Sequence, residues 1–155
     1  MSDSENFLII SQNRKARFNY FIQDTIEAGI MLQGSEVKSC RNRQVNVAEG
    51  FISENNGELF LHQVNIAEYT FSHQFNHAPT RPRKLLLKKK EIVKILNGIS
   101  KKGTTAVPLS LYFNHKGRIK VSIGIAEGKK LVDKRETIKQ RDWNREKQRV
   151  LKGYD

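Results

Sequence analysis

Nine lysines and arginines against a single glutamate lie between Arg81 and Lys102, and a second run, Lys129 to Asp155, holds ten basic and five acidic residues. Ammonium and guanidinium groups at that density are suited to charge-assisted hydrogen bonds with phosphate oxygens. The first half of the chain has the opposite bias, since Met1 to Thr80 carries six basic and nine acidic residues. The net charge of +12 is therefore two blocks on a mildly acidic scaffold. Localised blocks predict a defined footprint on a polyanion rather than general solubility. In the second run Arg141, Arg145 and Arg149 would form one stripe if the segment were helical, with Asp142 and Glu146 in a row beside it. Like charges at four-residue spacing oppose an isolated helix, so the stripe gains order only against a polyanion.

Other chemistries find little support. His73 and His77 are four apart, but Pro79 and the lack of periodicity put them in a loop, where they would not converge on a metal; His62 and His115 are isolated. Neither a metal nor a cofactor is expected. Asp24 and Glu27 do not by themselves make a two-carboxylate site, and Gly117, Gly124 and Gly128 lack the spacing of a phosphate loop, so an enzyme is the weaker hypothesis. The single Cys40 excludes an intrachain disulfide and reads as a small semi-buried thiol.

The elements that must position the basic blocks are mostly strands. Phe18 to Asp24 and Ile26 to Leu32 predict one long bent strand or two successive ones, and Ser35-Glu36 predicts a short helix ending near Asn42. Phe51 to Ser53 and Leu59 to Val64 flank Asn55-Asn56-Gly57, a hairpin signal. Glu68 to Arg83 reads as an exposed loop, and Leu85 to Leu87 as a strand. Ile92, Ile95, Leu96 and Ile99 then predict a helix from Lys88 to Ile99 that packs by its isoleucines and displays Lys88, Lys89 and Lys90. Thr104 to Asn114 and Arg118 to Ala126 complete a second hairpin, with Pro108 marking an edge or bulge. This order, without a βαβ rhythm, predicts a mainly β domain with peripheral helices, an oligonucleotide-binding-like antiparallel β-barrel over residues 1–130. Residues 131–155 form a basic C-terminal tail with too little apolar surface to order alone. The short, acidic N-terminal stretch predicts neither a signal peptide nor a membrane span, hence a cytoplasmic protein with no membrane partner.

Several segments in order carry a resemblance: Asn13-Arg14-Lys15-Ala16-Arg17, Tyr20-Phe21-Ile22, Glu27-Ala28-Gly29-Ile30, Gly34-Ser35-Glu36-Val37-Lys38-Ser39, Arg83-Lys84-Leu85-Leu86-Leu87, Val107-Pro108-Leu109 with Leu111-Tyr112-Phe113, and Gly128-Lys129-Lys130 with Asp133-Lys134-Arg135. From Asn13 to Trp143 the chain resembles the SsrA-binding protein family, small protein B. The resemblance implies a non-enzymatic protein, monomeric when free, that binds the transfer-RNA-like domain of transfer-messenger RNA. Such a protein delivers that RNA to stalled ribosomes for trans-translation, with the tail helical at the decoding centre and messenger channel. It also implies RNA-binding roles for Asn13, Tyr20, Glu27, Leu86 and Lys120. Tail roles fall to Asp133, Lys134, Arg135, Trp143, Val150 and Leu151. A general ribosome-associated or single-stranded RNA-binding barrel protein is the alternative, and a hydrolase with an unrecognised site the third.

These roles differ in their physical basis. Tyr20 suits stacking on an unpaired base and Lys120 suits a phosphate. Glu27 would accept from base amino or imino groups or orient nearby cations; otherwise it is a strand-face carboxylate paired to Lys or Arg. Leu86 is most simply an anchor of the barrel or helix. Three places depart from the usual pattern: Arg43-Gln44 replaces a small or glycine-containing turn, Thr70 to Gln74 is a variable loop, and Val132 replaces an aromatic or His. The last puts base stacking at that tail position in doubt and leaves the Asp133-Lys134-Arg135 match intact.

Overall fold

The computed structural model describes residues 8–71, 76–129, 135 and 138–145. Among them, seven strands form one antiparallel sheet. In chain order the elements are β1 (Leu8–Gln12), α1 (Arg14–Asn19), β2 (Tyr20–Ile30), α2 (Gly34–Arg41), β3 (Val45–Asn46), β4 (Phe51–Asn55), β5 (Glu58–His62), β6 (Asn65–Ile66), β7 (Arg83–Leu86), α3 (Lys89–Ile99), β8 (Thr104–Phe113) and β9 (Ile119–Gly128). The spatial order is β1-β8-β9-β2-β7-β5-β4, with β3 and β6 as a separate pair. Strand β4 returns to pack against β8, which rolls the sheet into a barrel.

The core follows from alternation. Ile26 and Ala28 of β2, Leu59 and Leu61 of β5, Leu85 of β7, Leu111 of β8, and Val121, Ile123 and Ile125 of β9 point inward, and α3 adds Ile92 and Ile95. The isoleucine spacing thus places α3 as expected, with its lysines outside. The β4–β5 turn is built on Asn56 and Gly57 at φ of 53° and 80°, the left-handed conformations that a two-residue hairpin requires. Pro108 marks a register shift between β8 and β9.

Three local expectations are corrected. Phe18 and Asn19 end a helix rather than begin a strand, because Asn13 caps α1 by accepting from the Ala16 amide at 3.0 Å. The segment before β7 is not simply an exposed loop: His77 is buried, its Nε2–H donating to the Ile66 carbonyl at 2.8 Å while Nδ1 takes the Ser35 hydroxyl at 2.8 Å. Arg83, at the end of the same segment, is fully buried. It donates to Glu36, to the Val64 carbonyl at 2.8 Å and to the Pro79 carbonyl at 2.9 Å. Polar groups satisfied in this way can be buried where periodicity shows no core element. Cys40 is likewise fully buried rather than semi-buried, and burial pushes its thiol up to about 12, so it is an inert packing group.

Candidate nucleic-acid interface

The outer face of the barrel collects most of the residues singled out from sequence. Directly paired residues of an antiparallel ladder share a face. One row crosses four strands as Leu86, Gly29, Lys120 and Tyr112. Two residues along, the next row is Glu27, Ser122 and Ser110. Tyr20 and Ile22 belong to the same face because a register shift between Ile22 and Asp24 reverses the alternation of β2. Their side chains pack against Ala16, Val107, Leu109 and Ala126, a small second cluster that seats α1 on the sheet.

Tyr20 is half-buried at one end of this face. With Asn13, Lys15, Asn19, Glu49 and Phe51 it lines a cleft of about 320 Å³. Asn13 itself is buried, its amide nitrogen donating to the Pro108 carbonyl at 2.8 Å. That residue shapes the cleft by fixing α1. At the other end, Leu86 is 50% exposed, which corrects the expectation of a barrel or helix anchor. Gly29 allows this arrangement, since a Cβ there would stand 3.2 Å from the Leu86 Cβ. Leu86, Gly29, Arg118 and Lys120 line an open groove of about 370 Å³.

Glu27 is exposed between the two ends. No Lys or Arg among the described residues forms an ion pair with it, so the expected partner is replaced by the Tyr112 hydroxyl, which donates to Oε2. Beside it, Lys90, Lys94 and Thr25 line a recess of about 530 Å³. Lys94 is held by Asp24 at 2.7 Å, an ion pair that with the Thr25 amide keeps the Asp24 carboxyl below its usual range. Lys88, Lys89 and Lys90 are exposed at the start of α3 and lie outside the ion pairs of the described residues. Cations at a helix N-terminus oppose the helix dipole, and Glu91 alone offsets them in the first turn. This local conflict makes sense where an anion is to be bound.

The tail begins beside the end of α1 and the start of β2. The Lys129 amide donates to the Asn19 carbonyl at 2.9 Å, and its ammonium lies 5.0 Å from the Phe21 ring centroid. Residues 138–145 are helical, with Arg141 over the Phe18 ring at 5.0 Å and Trp143 55% exposed. Arg141 and Arg145 share a shallow recess with Phe18, and Arg135 is exposed. Asp133, Lys134, Arg149, Val150 and Leu151 lie outside the described residues, as does His73. Among the described residues no three His, Cys, Asp or Glu side chains form a metal-binding group, and no helix is long and apolar enough to cross a membrane.

Sequence reasoning missed Tyr112, whose hydroxyl contact spans 85 residues in sequence. It also missed the Arg81–Glu36–Arg83 cluster, in which Glu36 Oε1 accepts from Arg81 Nε at 3.2 Å and from the Gln33 amide at 2.8 Å. The only advance signal was the pair of arginines flanking Pro82.

Comparison with known proteins agrees with this architecture. Residues 10–153 match the SmpB protein family. The SsrA-binding protein of Ehrlichia canis (strain Jake) is 60% identical over 145 residues, covering 94% of this chain and 98% of that protein. The SsrA-binding protein of Bartonella henselae (strain ATCC 49882 / DSM 28221 / CCUG 30454 / Houston 1) is 57% identical over 146 residues, covering 94% of this chain and 92% of its own. A solved chain described as "tmRNA-SmpB: a journey to the center of the bacterial ribosome" is 46% identical with a TM-score of 0.66, covering 77% of this chain and 84% of that one. This chain belongs to the SmpB family.

Proposed function

We propose that this protein binds the transfer-RNA-like domain of transfer-messenger RNA and delivers it to stalled ribosomes for trans-translation, acting as a binding partner and not as an enzyme. The observation that carries the reading is the outer face of the barrel. There Tyr20, Glu27, Leu86 and Lys120 share one surface, with Lys90 lining the recess beside Glu27 and Lys88 and Lys89 exposed just before it on α3. Family membership and the named relatives support the identity of the RNA.

On this reading Tyr20 stacks on an unpaired base at the cleft, while Lys120 and the α3 lysines meet phosphates and fix register. Leu86 gives an apolar contact to a sugar or base. Asn13 acts by holding α1 in place. The domain division follows the same logic: residues 1–130 hold the RNA, and residues 131–155 engage the ribosome as a basic tail, of which residues 138–145 are helical already without a partner. Arg141, Arg145 and Arg149 meet ribosomal RNA, Trp143, Val150 and Leu151 supply apolar or stacking contacts, and Asp133, Lys134 and Arg135 act at the decoding centre.

The test separates the two halves. Affinity of the full chain for transfer-messenger RNA is compared with that for an unrelated RNA of equal length, and a truncation after Lys130 is assayed for RNA binding and for tagging on stalled ribosomes. The truncated protein should keep the RNA preference and lose tagging. Equal affinity for both RNAs would overturn the RNA assignment, and retained tagging would overturn the role of the tail.

A further inference from the structure

Glu27 poses a problem that the RNA-binding reading leaves open. A carboxylate on a face made for phosphates repels them, and with Lys90 lining the same recess and Lys120 one row away it would be expected to pair with an ammonium group. Such a pair would remove both the carboxylate and a phosphate-binding cation from use. No such pair is present among the described residues. Instead Oε2 accepts the hydroxyl of Tyr112, a residue only 7% exposed, on β8.

We propose that Tyr112 is a positioning residue that holds the Glu27 carboxylate outward and away from the lysines, so that Glu27 reads an amino or imino N–H on a nucleobase edge. This inference rests on the reading of the outer face as the RNA surface. The geometry fits the division of labour. An ionised carboxylate is acceptor-only with about four lone-pair sites, so one hydroxyl leaves Oε1 and part of Oε2 for a base. Burial and Glu27 both push the Tyr112 phenol up from its ordinary range, which keeps it a protonated donor at neutral pH. Its ring is fixed in the fold and its strand is paired on both sides, with Ile9 and with Lys120. A carboxylate held by such an anchor loses less freedom on binding than a free surface glutamate. It also discriminates, because a phosphate cannot occupy the place a base N–H can.

The test is a double-mutant cycle with Glu27→Gln, Tyr112→Phe and the combination. Affinity is measured for the transfer-RNA-like RNA and for an unrelated RNA, alongside thermal unfolding. Glu27→Gln should weaken the cognate RNA about tenfold or more while leaving or slightly raising affinity for the unrelated RNA. Tyr112→Phe should weaken the cognate RNA about three- to tenfold. In the Glu27→Gln background it should have no further effect. Para-aminophenylalanine at position 112, which keeps the ring and a donor, should restore binding. That rescue remains readable even if Tyr112→Phe lowers the melting temperature.

Equal losses from Tyr112→Phe with and without Glu27→Gln would overturn the positioning role while leaving the RNA surface intact. No loss of cognate affinity in Glu27→Gln would overturn the surface assignment of Glu27, and the inference with it.

Discussion

Replacing Lys88, Lys89 and Lys90 by Gln should flatten the salt dependence of RNA binding, and the size of the change follows from which cations are free. Each phosphate neutralised contributes about −0.7 to the log-log slope for single strands and about −0.9 for duplex. Three lysines outside the described ion pairs should therefore remove about two to three units of slope. On doubling the salt concentration, the wild type should lose about four- to sixfold more affinity than the variant. The structure also supplies the control. Lys15, Lys84 and Lys94 stand 2.7, 4.0 and 2.7 Å from Glu49, Glu58 and Asp24. Replacing those three by Gln makes the same formal charge change, yet each loss frees a carboxylate that was already partly neutralising its lysine. The control should change the slope by less. Titrations of labelled RNA over a series of salt concentrations measure both. An unchanged slope in the first variant, or an equal change in the two, would mean that the α3 lysines are a solvated face with no special relation to phosphate.

Tyr20→Ala should cost on the order of 1–3 kcal/mol of RNA binding if a base stacks there. Circular dichroism should show the barrel still folded, whereas a collapse of thermal stability with no separate binding defect would make Tyr20 only a partner of the cluster under α1. Glu36→Gln should destabilise by about 3–5 kcal/mol, because it leaves the fully buried Arg83 without its charge partner. Burial raises the Glu36 carboxyl, but hydrogen bonds from Arg81, the Gln33 amide and Arg83 outweigh it and leave the group below its ordinary 4.5. Its contribution to stability is therefore present above that value and lost as pH falls through the depressed folded value. Urea midpoints of wild type and variant should differ most near neutrality and converge in acid; a constant gap across pH would refute the ionic account.

Much of the architecture is legible in local pattern. Asn55-Asn56-Gly57 announces its hairpin because few residue types accept the left-handed turn, and the isoleucines of α3 announce its buried stripe because helical periodicity is local. The short helix α1 is not legible. Its cap, Asn13, also bonds the Pro108 carbonyl across 95 residues of sequence, so the local signal is one part of a tertiary contact. The buried Arg83 is hidden for a related reason, since a single Glu36 on a distant helix converts a charge from a surface marker into a core element. Composition alone determined that the chain carries two basic blocks and that one belongs to a body with a core, because charge density and apolar periodicity are properties of short windows.

Which residues share a surface was decided only by the tertiary structure. Tyr20 and Glu27 are seven positions apart and would lie on opposite faces of a regular strand. The register shift between Ile22 and Asp24 puts them on one face, and the pairing of β2 with β9 and of β9 with β8 brings Lys120 and Tyr112 beside Glu27. The sequence signals a bend near Asp24, but which residues the bulge turns to the outer face depends on the register of the partner strand β9.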